Sequence, residues 1–595
     1  MARLVIIAFL LTGEATFASG CDIAGVKIIK RNKGNRTFSA HYPMTDHPIN
    51  LPDYVSSESA DLLLLNARVL TLDAELPTAE AVAVRGDAII SVGSRAELVS
   101  QCGPTTETID CRGLTLIPGL IDAHCHPLSL ASSLRGLDCS ARAAPSIEDL
   151  VQLVRARAES TSIGHWVRGF GYDDLALAEG RHPSRWDLDR ASPHHPVRLD
   201  HRSGHATVLN SRALGMAGID KATPDPIEGV IERQDGTGEP TGLLLEMSGF
   251  LRQRLGASAD RGEFEQGVSL LNQKLLSYGI TSVQDAGPDN DLARWETFRE
   301  LKNAGSLGCR VTMMAGAAHL NEFLSQGMAW GSGDNWLRLG HVKIMLTLTT
   351  GQLQPTYELL KETVEQAHQA GFPVAIHAVE QEAVAAAAQA LEEIPPIPLY
   401  KWGQGGISPA KSRDRIEHCA ECPPDLVARV RAARATVVTQ PGFVYWNGDG
   451  YLQRVETSLL PHLYPVGALH RAGVPVAFGS DAPVIDPNPW PAIYSAVTRT
   501  TRAGKPIRPL EKGPETKREI SVGTALRMYT SAGAYAEGTE KHKGTIQPGK
   551  LADLVLLDND PTTCDPEKLK DIRAVLTVVG GQVAWGNGLY EDRRG

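Results

Sequence analysis

No stretch of this chain approaches the roughly 18–20 consecutive apolar residues of a membrane-spanning helix, so the sequence contains no candidate transmembrane segment. Cysteine is sparse as well. Nine residues spread over 595, without a dense spacing pattern, argue against a disulfide framework and against a four-cysteine zinc site. The chain also lacks a Lys/Arg tract suited to a phosphate backbone. Its 59 basic and 69 acidic residues leave a formal net charge of -10, which argues against nucleic acid as a partner. A glycine-rich dinucleotide fingerprint is missing too, which counts against an open doubly wound nucleotide-binding sheet. With 42% hydrophobic residues, the chain can bury a large core, and its length suggests more than one domain.

The N-terminus supports two readings. Arg3 precedes a short apolar run, Leu4 to Leu11, and Ala18-Ser19-Gly20-Cys21 has the small residues of a cleavage region. These features fit an export signal, with Cys21 as a lipid-bearing residue, or an extension ahead of the folded protein. Localisation is correspondingly cytoplasmic, or exported if the first 20 residues are a signal.

From Asp61 onward, Leu62–Leu65, Val69–Leu72, Ala81–Val84 and Ala88–Val92 read as short strands separated by turn residues. Asp553–Leu557, Ala574–Val579 and Gln582–Trp585 have the same character at the other end. Neither set has enough apolar surface to bury alone, so the two ends are expected to form one composite β-sandwich. Between them, short apolar runs alternate with helical patterns, which predicts a parallel sheet with crossover helices. The strand candidates are Leu120–His126, Thr281–Ala286, Val311–Ala315, Val342–Leu346, Val374–His377, Arg415–His418, Val437–Gln440 and Val476–Ser480. Eight such strands with polar residues at their C-terminal ends predict an α/β fold, a (β/α)8 barrel.

The expected organisation is an extension over 1–58, the first part of the composite domain over 59–117, the barrel over 118–540 and the second part over 541–595. The gap between the first two barrel strands requires an insertion at about 140–265, placed to shape the substrate pocket. Within it, Pro196–Leu199 is a strand candidate and Pro224–Gly242 reads as a surface loop.

The chemistry gathers at strand ends. Leu120-Ile121-Asp122-Ala123-His124-Cys125-His126 closes on two histidines that share one side of a strand, because side chains alternate with period 2. Two neutral imidazoles side by side suit a divalent metal such as zinc. His377, His418 and Asp481 each end another predicted barrel strand. A single buried histidine is more often a hydrogen-bonded core residue, but five such groups at one barrel end reinforce one another.

These motifs resemble those of the metal-dependent amidohydrolase superfamily, and within it the YtcJ-like branch that includes N-substituted formamide deformylases. The resemblance spans about Asp61 to Trp585. It rests on Pro118 through His126, Gly204-His205 with Asn210, Tyr278 through Val283, Arg415-Ile416-Glu417-His418, Gly479-Ser480-Asp481-Ala482-Pro483, Gly544 through Gly549 and Ala552-Asp553.

It implies that His124, His126 and Asp481 bind a first metal and that His377 and His418 bind a second. Lys343, carboxylated, would bridge them. The cofactor would be one or two zinc ions or another divalent metal. Asp481 would carry a proton from metal-activated water to the leaving nitrogen, and His418 would help stabilise the oxyanion. His205 would touch the substrate from the insertion, or serve as a structural hydrogen-bonding group there.

The expected reaction is hydrolysis of a carbon–nitrogen bond in a small amide, N-formyl compound or cyclic amide. Ester or carbamate hydrolysis is the nearest alternative, and a non-catalytic metal-containing binding or regulatory protein is a further one. Partners are expected to be small molecules, and association into a homo-oligomer is left open. Two departures from the branch stand out: Thr347-Leu348-Thr349-Thr350-Gly351 follows the lysine strand, and His377 continues into Ala378-Val379-Glu380-Gln381-Glu382.

Overall fold

Strands buried on both faces fit a closed or doubly covered parallel sheet. The computed structural model forms the closed arrangement, and it describes residues 59–226, 229–255, 261–348, 351–394, 413–507 and 519–587. The N-terminal features read from the sequence, including Cys21, lie outside the described residues. The barrel strands are β1 (Leu120–Cys125), β2 (Ile280–Asp285), β3 (Arg310–Gly316), β4 (Leu337–Met345), β5 (Val374–Ala378), β6 (Arg415–His418), β7 (Thr436–Thr439) and β8 (Val476–Phe478). Each neighbouring pair from β1 to β8 is parallel.

The sheet closes just beyond the ends of β1 and β8. The Asp481 amide donates to the His124 carbonyl at 2.7 Å, and the His126 amide to the Ala482 carbonyl at 2.8 Å. This approach requires glycine at 479, where an added Cβ would lie 2.6 Å from the His124 nitrogen. Asp122 braces the same seam by accepting from the Ser480 amide at 2.9 Å and the Ser480 hydroxyl at 2.5 Å.

Strands from both chain ends form two further sheets. One contains Ala88–Gly93, Ala81–Arg85, Leu62–Leu65 and Glu107–Asp110. The other joins the C-terminal strands Leu554–Leu557, Ala574–Val579 and Gln582–Gly586 to Thr115–Pro118, Arg68–Leu70 and Thr78–Ala79. Leu64, Val82 and Ile109 pack with Leu554, Leu556 and Val578 in one core, which is the composite sandwich. Asp553 ties it to the barrel, since both its oxygens accept from the buried Arg310 guanidinium at 2.8 and 2.9 Å.

Between β1 and β2 the chain builds a six-stranded sheet from Leu137–Asp138, Val167–Tyr172, Val197–His201, Ala206–Leu209, Pro240–Leu245 and Val230–Arg233. The segment expected as a loop over Pro224–Gly242 therefore contains a strand and the start of another. Val230 pairs with Leu245 and Ile231 with Leu244, so cross-strand burial outweighs the local glycine and proline signals. Among the described residues, no helix is long and apolar enough to cross a membrane.

Candidate metal centre

The C-terminal ends of β1, β5 and β6 and the turn after β8 converge on one buried cluster. His124 is 1% exposed and leaves the barrel wall directly beside Asp481, whose Oδ1 lies 3.4 Å from His124 Nε2. His126 sits one residue past β1, and its Nε2 is 3.1 Å from the same oxygen. The two imidazoles therefore do share a side, as their spacing predicts. Their rings meet edge to face at 5.6 Å.

His418 arrives by a less obvious route. In Arg415-Ile416-Glu417-His418, alternation turns Arg415 and Glu417 to one side and would turn His418 to the other. The φ of 67° at His418 rotates its Cβ out of that pattern, and Cys419 follows at 48°. The His418 ring then lies 4.7 Å from His124 and 4.3 Å from His377, with its Nε2 2.9 Å from His377 Nδ1. Asp481 also has a left-handed backbone, φ 61°, a conformation that Asp tolerates better than most residues.

One potential donor set is His124, His418 and Asp481, whose ligand atoms all fall within 4.8 Å of one another. His126 and His377 adjoin it through the contacts above. Two imidazoles and a carboxylate fit a divalent cation in both chemistry and spacing. Burial holds His418 at about 3 and His377 well below the usual imidazole range, so these rings stay neutral with lone pairs available.

Lys343, on β4, is 2% exposed, and its Nζ has no hydrogen-bond partner among the described residues. Burial takes its pKa down to about 8, against the opposing pull of Glu417 and Asp481.

Several supporting groups are absent from the sequence-level site. Glu417 is fully buried and accepts from His124 Nδ1, which puts the ring proton there and turns the Nε2 lone pair toward Asp481. Arg415 holds Glu417 at 2.7 and 3.0 Å, donates to the Ala123 carbonyl at 2.7 Å and contacts Gln284. Gln440 positions His418 through Nδ1 at 2.8 Å. The available signal was Arg415 and Glu417 at i and i+2 on a buried strand, where opposite charges need each other. Cys419 and Cys422 form a Cys-X-X-Cys spacing that the scattered-cysteine reading passes over. Both are buried free thiols, and Cys419 is pushed up by its hydrogen bond with Cys422 and by burial, which keeps it protonated.

His205 comes from the inserted sheet. Its ring lies 5.9 Å from His377, and Glu246 holds its Nδ1. Asn210 has a structural role. It is buried, accepts from Ala213 N at the start of helix Ser211–Ala217 and from Val197 N, both at 3.0 Å, and donates to the His195 carbonyl.

A second group, Asp173, Asp174 and His201, also has closely spaced donor atoms. There the Ser203 amide donates to His201 Nδ1 at 3.1 Å, so a neutral ring carries its proton on Nε2, 3.1 Å from Asp174. Asp173 pairs with Arg202 at 2.7 Å. In that tautomer the His201 lone pair is taken up by the Ser203 amide, while Nε2 makes no hydrogen bond among the described residues.

A (β/α)8 barrel with histidine and carboxylate donors converging at its C-terminal end defines a metal-dependent hydrolase that uses water on small substrates. The amidohydrolase family model matches residues 107–584, and this chain belongs to that family. It acts on carbon–nitrogen bonds other than peptide bonds. The chain is 30% identical to the N-substituted formamide deformylase of Arthrobacter pascens over 553 residues, covering 88% of this chain and 98% of that one. It is 26% identical to YtcJ of Bacillus subtilis (strain 168), covering 87% and 98%. The fold is similar to that of an uncharacterized metal-dependent hydrolase from Pyrococcus horikoshii OT3, with a TM-score of 0.66, 22% identity and coverage of 85% and 99%.

Proposed function

We propose that this chain hydrolyses a small amide, N-formyl compound or cyclic amide, that it stands in the YtcJ-like branch, and that N-substituted formamides are the first substrates to test. The observation that carries this reading is the convergence of His124, His418 and Asp481 donor atoms within 4.8 Å at the end of the barrel. The similarity to a formamide deformylase over 98% of that protein supports the substrate class.

His124, His126 and Asp481 would hold a first cation, with zinc the preferred identity, and His377 and His418 a second. When bound, such an ion polarises a carbonyl and makes water a usable nucleophile near neutral pH. Lys343 is assigned as a carboxylated bridging residue. Its buried Nζ lacks a hydrogen-bond partner, and a pKa of about 8 leaves a usable neutral fraction to take up carbon dioxide. Asp481 accepts a proton and hands it to the leaving nitrogen, because an unprotonated amide nitrogen departs poorly. His418 would help stabilise the oxyanion, and His205 would touch the substrate from the insertion. The substrate is a small molecule rather than a nucleic acid, consistent with the formal charge of -10.

The test is to purify the chain without chelators, supply zinc and bicarbonate, count metal by mass spectrometry and assay formate release from N-substituted formamides alongside matched esters and carbamates. Formamide turnover that disappears on chelation and returns with zinc is the expected result. Turnover of esters or carbamates alone would overturn the substrate class.

A further inference from the structure

A cavity of about 500 Å³ lies at the end of the barrel opposite the metal centre, where Thr436 begins β7 and Val476 begins β8. That volume falls within the usual range for a small-molecule site, about 300–1,000 Å³. Ala435, Val474 and Val476 are buried and give the cavity an apolar lining. The Tyr535 ring adds to it, with the Arg413 guanidinium stacked on that ring at 4.1 Å and paired in turn with Glu540.

Two further arginines, Arg431 and Arg434, line the same cavity, and none of the described residues lining it is acidic. Both arginines are exposed, and neither guanidinium makes a hydrogen bond or ion pair among the described residues.

Arg434 stands where the backbone resists a side chain. Helix Pro424–Ala432 ends at Ala433, and Arg434 follows with φ 56°, its amide donating to the Arg431 carbonyl at 3.1 Å. A left-handed residue just past a helix end is usually glycine, because a Cβ is crowded there. Helices Tyr357–Gln369 and Val466–Arg471, which likewise lead into barrel strands, follow that rule with Gly371 at 84° and Gly473 at 78°. Arg429 and Arg431 already occupy the last turn of Pro424–Ala432, where cations complement the helix dipole. Arg434 lies beyond that turn, so neither helix termination nor the dipole accounts for it.

A guanidinium presents its donors in a planar fork suited to a carboxylate. We propose that this cavity is a second ligand site, separate from the metal centre, that binds a small monocarboxylate with an apolar body. Val474, Val476 and Tyr535 cover the hydrocarbon, and Arg431 and Arg434 take the carboxylate. Inorganic phosphate would satisfy the cations but leave the apolar lining uncovered.

The experiment measures octanoate binding by calorimetry on the full chain loaded with zinc, with 1-octanol as the uncharged comparison. Crystals soaked in 8-bromooctanoate locate the ligand by bromine anomalous scattering, which separates this cavity from carboxylate bound at the metal centre. Arg431→Gln, Arg434→Gln and Arg434→Gly are compared with wild type in octanoate affinity and urea midpoint.

The expected result is a bromine peak against Val474 and Val476, with octanoate affinity about tenfold lower in each variant, the size of one lost charge-assisted hydrogen bond. Octanol should bind more weakly than octanoate and respond little to the substitutions. Arg434→Gly should hold or raise the urea midpoint while it weakens octanoate, because it relieves the left-handed backbone as it removes the cation. A lower midpoint in Arg434→Gly with unchanged octanoate affinity would assign Arg434 to helix termination and overturn the inference. Octanoate bound only at the metal centre, octanol bound as tightly as octanoate, or no octanoate binding would each overturn it too.

Discussion

Asp481 and His124 meet twice across the seam that closes the barrel. The Asp481 amide donates to the His124 carbonyl at 2.7 Å, and the Asp481 carboxylate lies 3.4 Å from His124 Nε2. The contact that completes the fold thus also brings together two groups of the site. Asp481→Asn keeps the size and tolerates the left-handed backbone but cannot take up a proton. It is expected to lower kcat by about 10²–10⁴-fold, with an unchanged circular dichroism spectrum. Activity within a few-fold of wild type would remove Asp481 from proton transfer.

Glu417 is expected to serve stability and metal affinity together. Its removal leaves the fully buried Arg415 without its carboxylate, a loss of about 3–5 kcal/mol. It also frees His124 Nδ1, and loss of such a supporting contact commonly weakens metal binding by about 10–100-fold. Urea unfolding and zinc titration of Glu417→Ala measure the two effects separately.

Lys343→Met tests the bridging assignment. Wild-type protein loaded in zinc and bicarbonate should hold two equivalents of zinc and show a carbamate resonance with labelled bicarbonate. The variant should lose that resonance and retain one equivalent or fewer. Full metal content in Lys343→Met would show that the amine is dispensable for the centre. The side chain is similar in length and apolar, so burial of residue 343 presents little added difficulty.

The insertion should make its own contribution to pH stability. Burial lowers His201 to about 4 from an ordinary 6.5, with Asp174 opposing and Arg202 assisting. Between those two values the unfolded chain binds a proton that the folded chain does not, so stability rises with pH there. The contribution is present above about 6.5, is lost progressively as pH falls toward 4 and changes no further below that. Protonating Nδ1 would also break its bond from the Ser203 amide. Urea midpoints of wild type and His201→Gln at pH 7.5 and 5 should differ in slope, with the wild type losing more on acidification. Parallel changes would assign the acid sensitivity elsewhere.

The strand-end histidines and the barrel itself were legible along the chain, because parallel strands buried on both faces leave continuous apolar runs and the residue after each run falls at one end of the sheet. Arg415–His418 is a strand with the expected bounds, and the other barrel strands differ from expectation by a few residues. His124 and His126 could be placed on one side from spacing alone, since period 2 is a local property of the backbone.

What the tertiary structure decided are the relationships that depend on chain reversal and long-range pairing. His418 joins His124 because of a positive φ that no alternation rule foresees. Glu417 reaches a residue 293 positions away. Val230–Arg233 becomes a strand only because Pro240–Leu245 lies beside it, itself paired to Ala206–Leu209. The same pairing sets His205 against Glu246. Local sequence specifies which groups are available and at which end of a strand they stand. Their distances from one another are set by closure of the barrel and by pairing within the inserted sheet, where burial and backbone hydrogen bonding outweigh local preference.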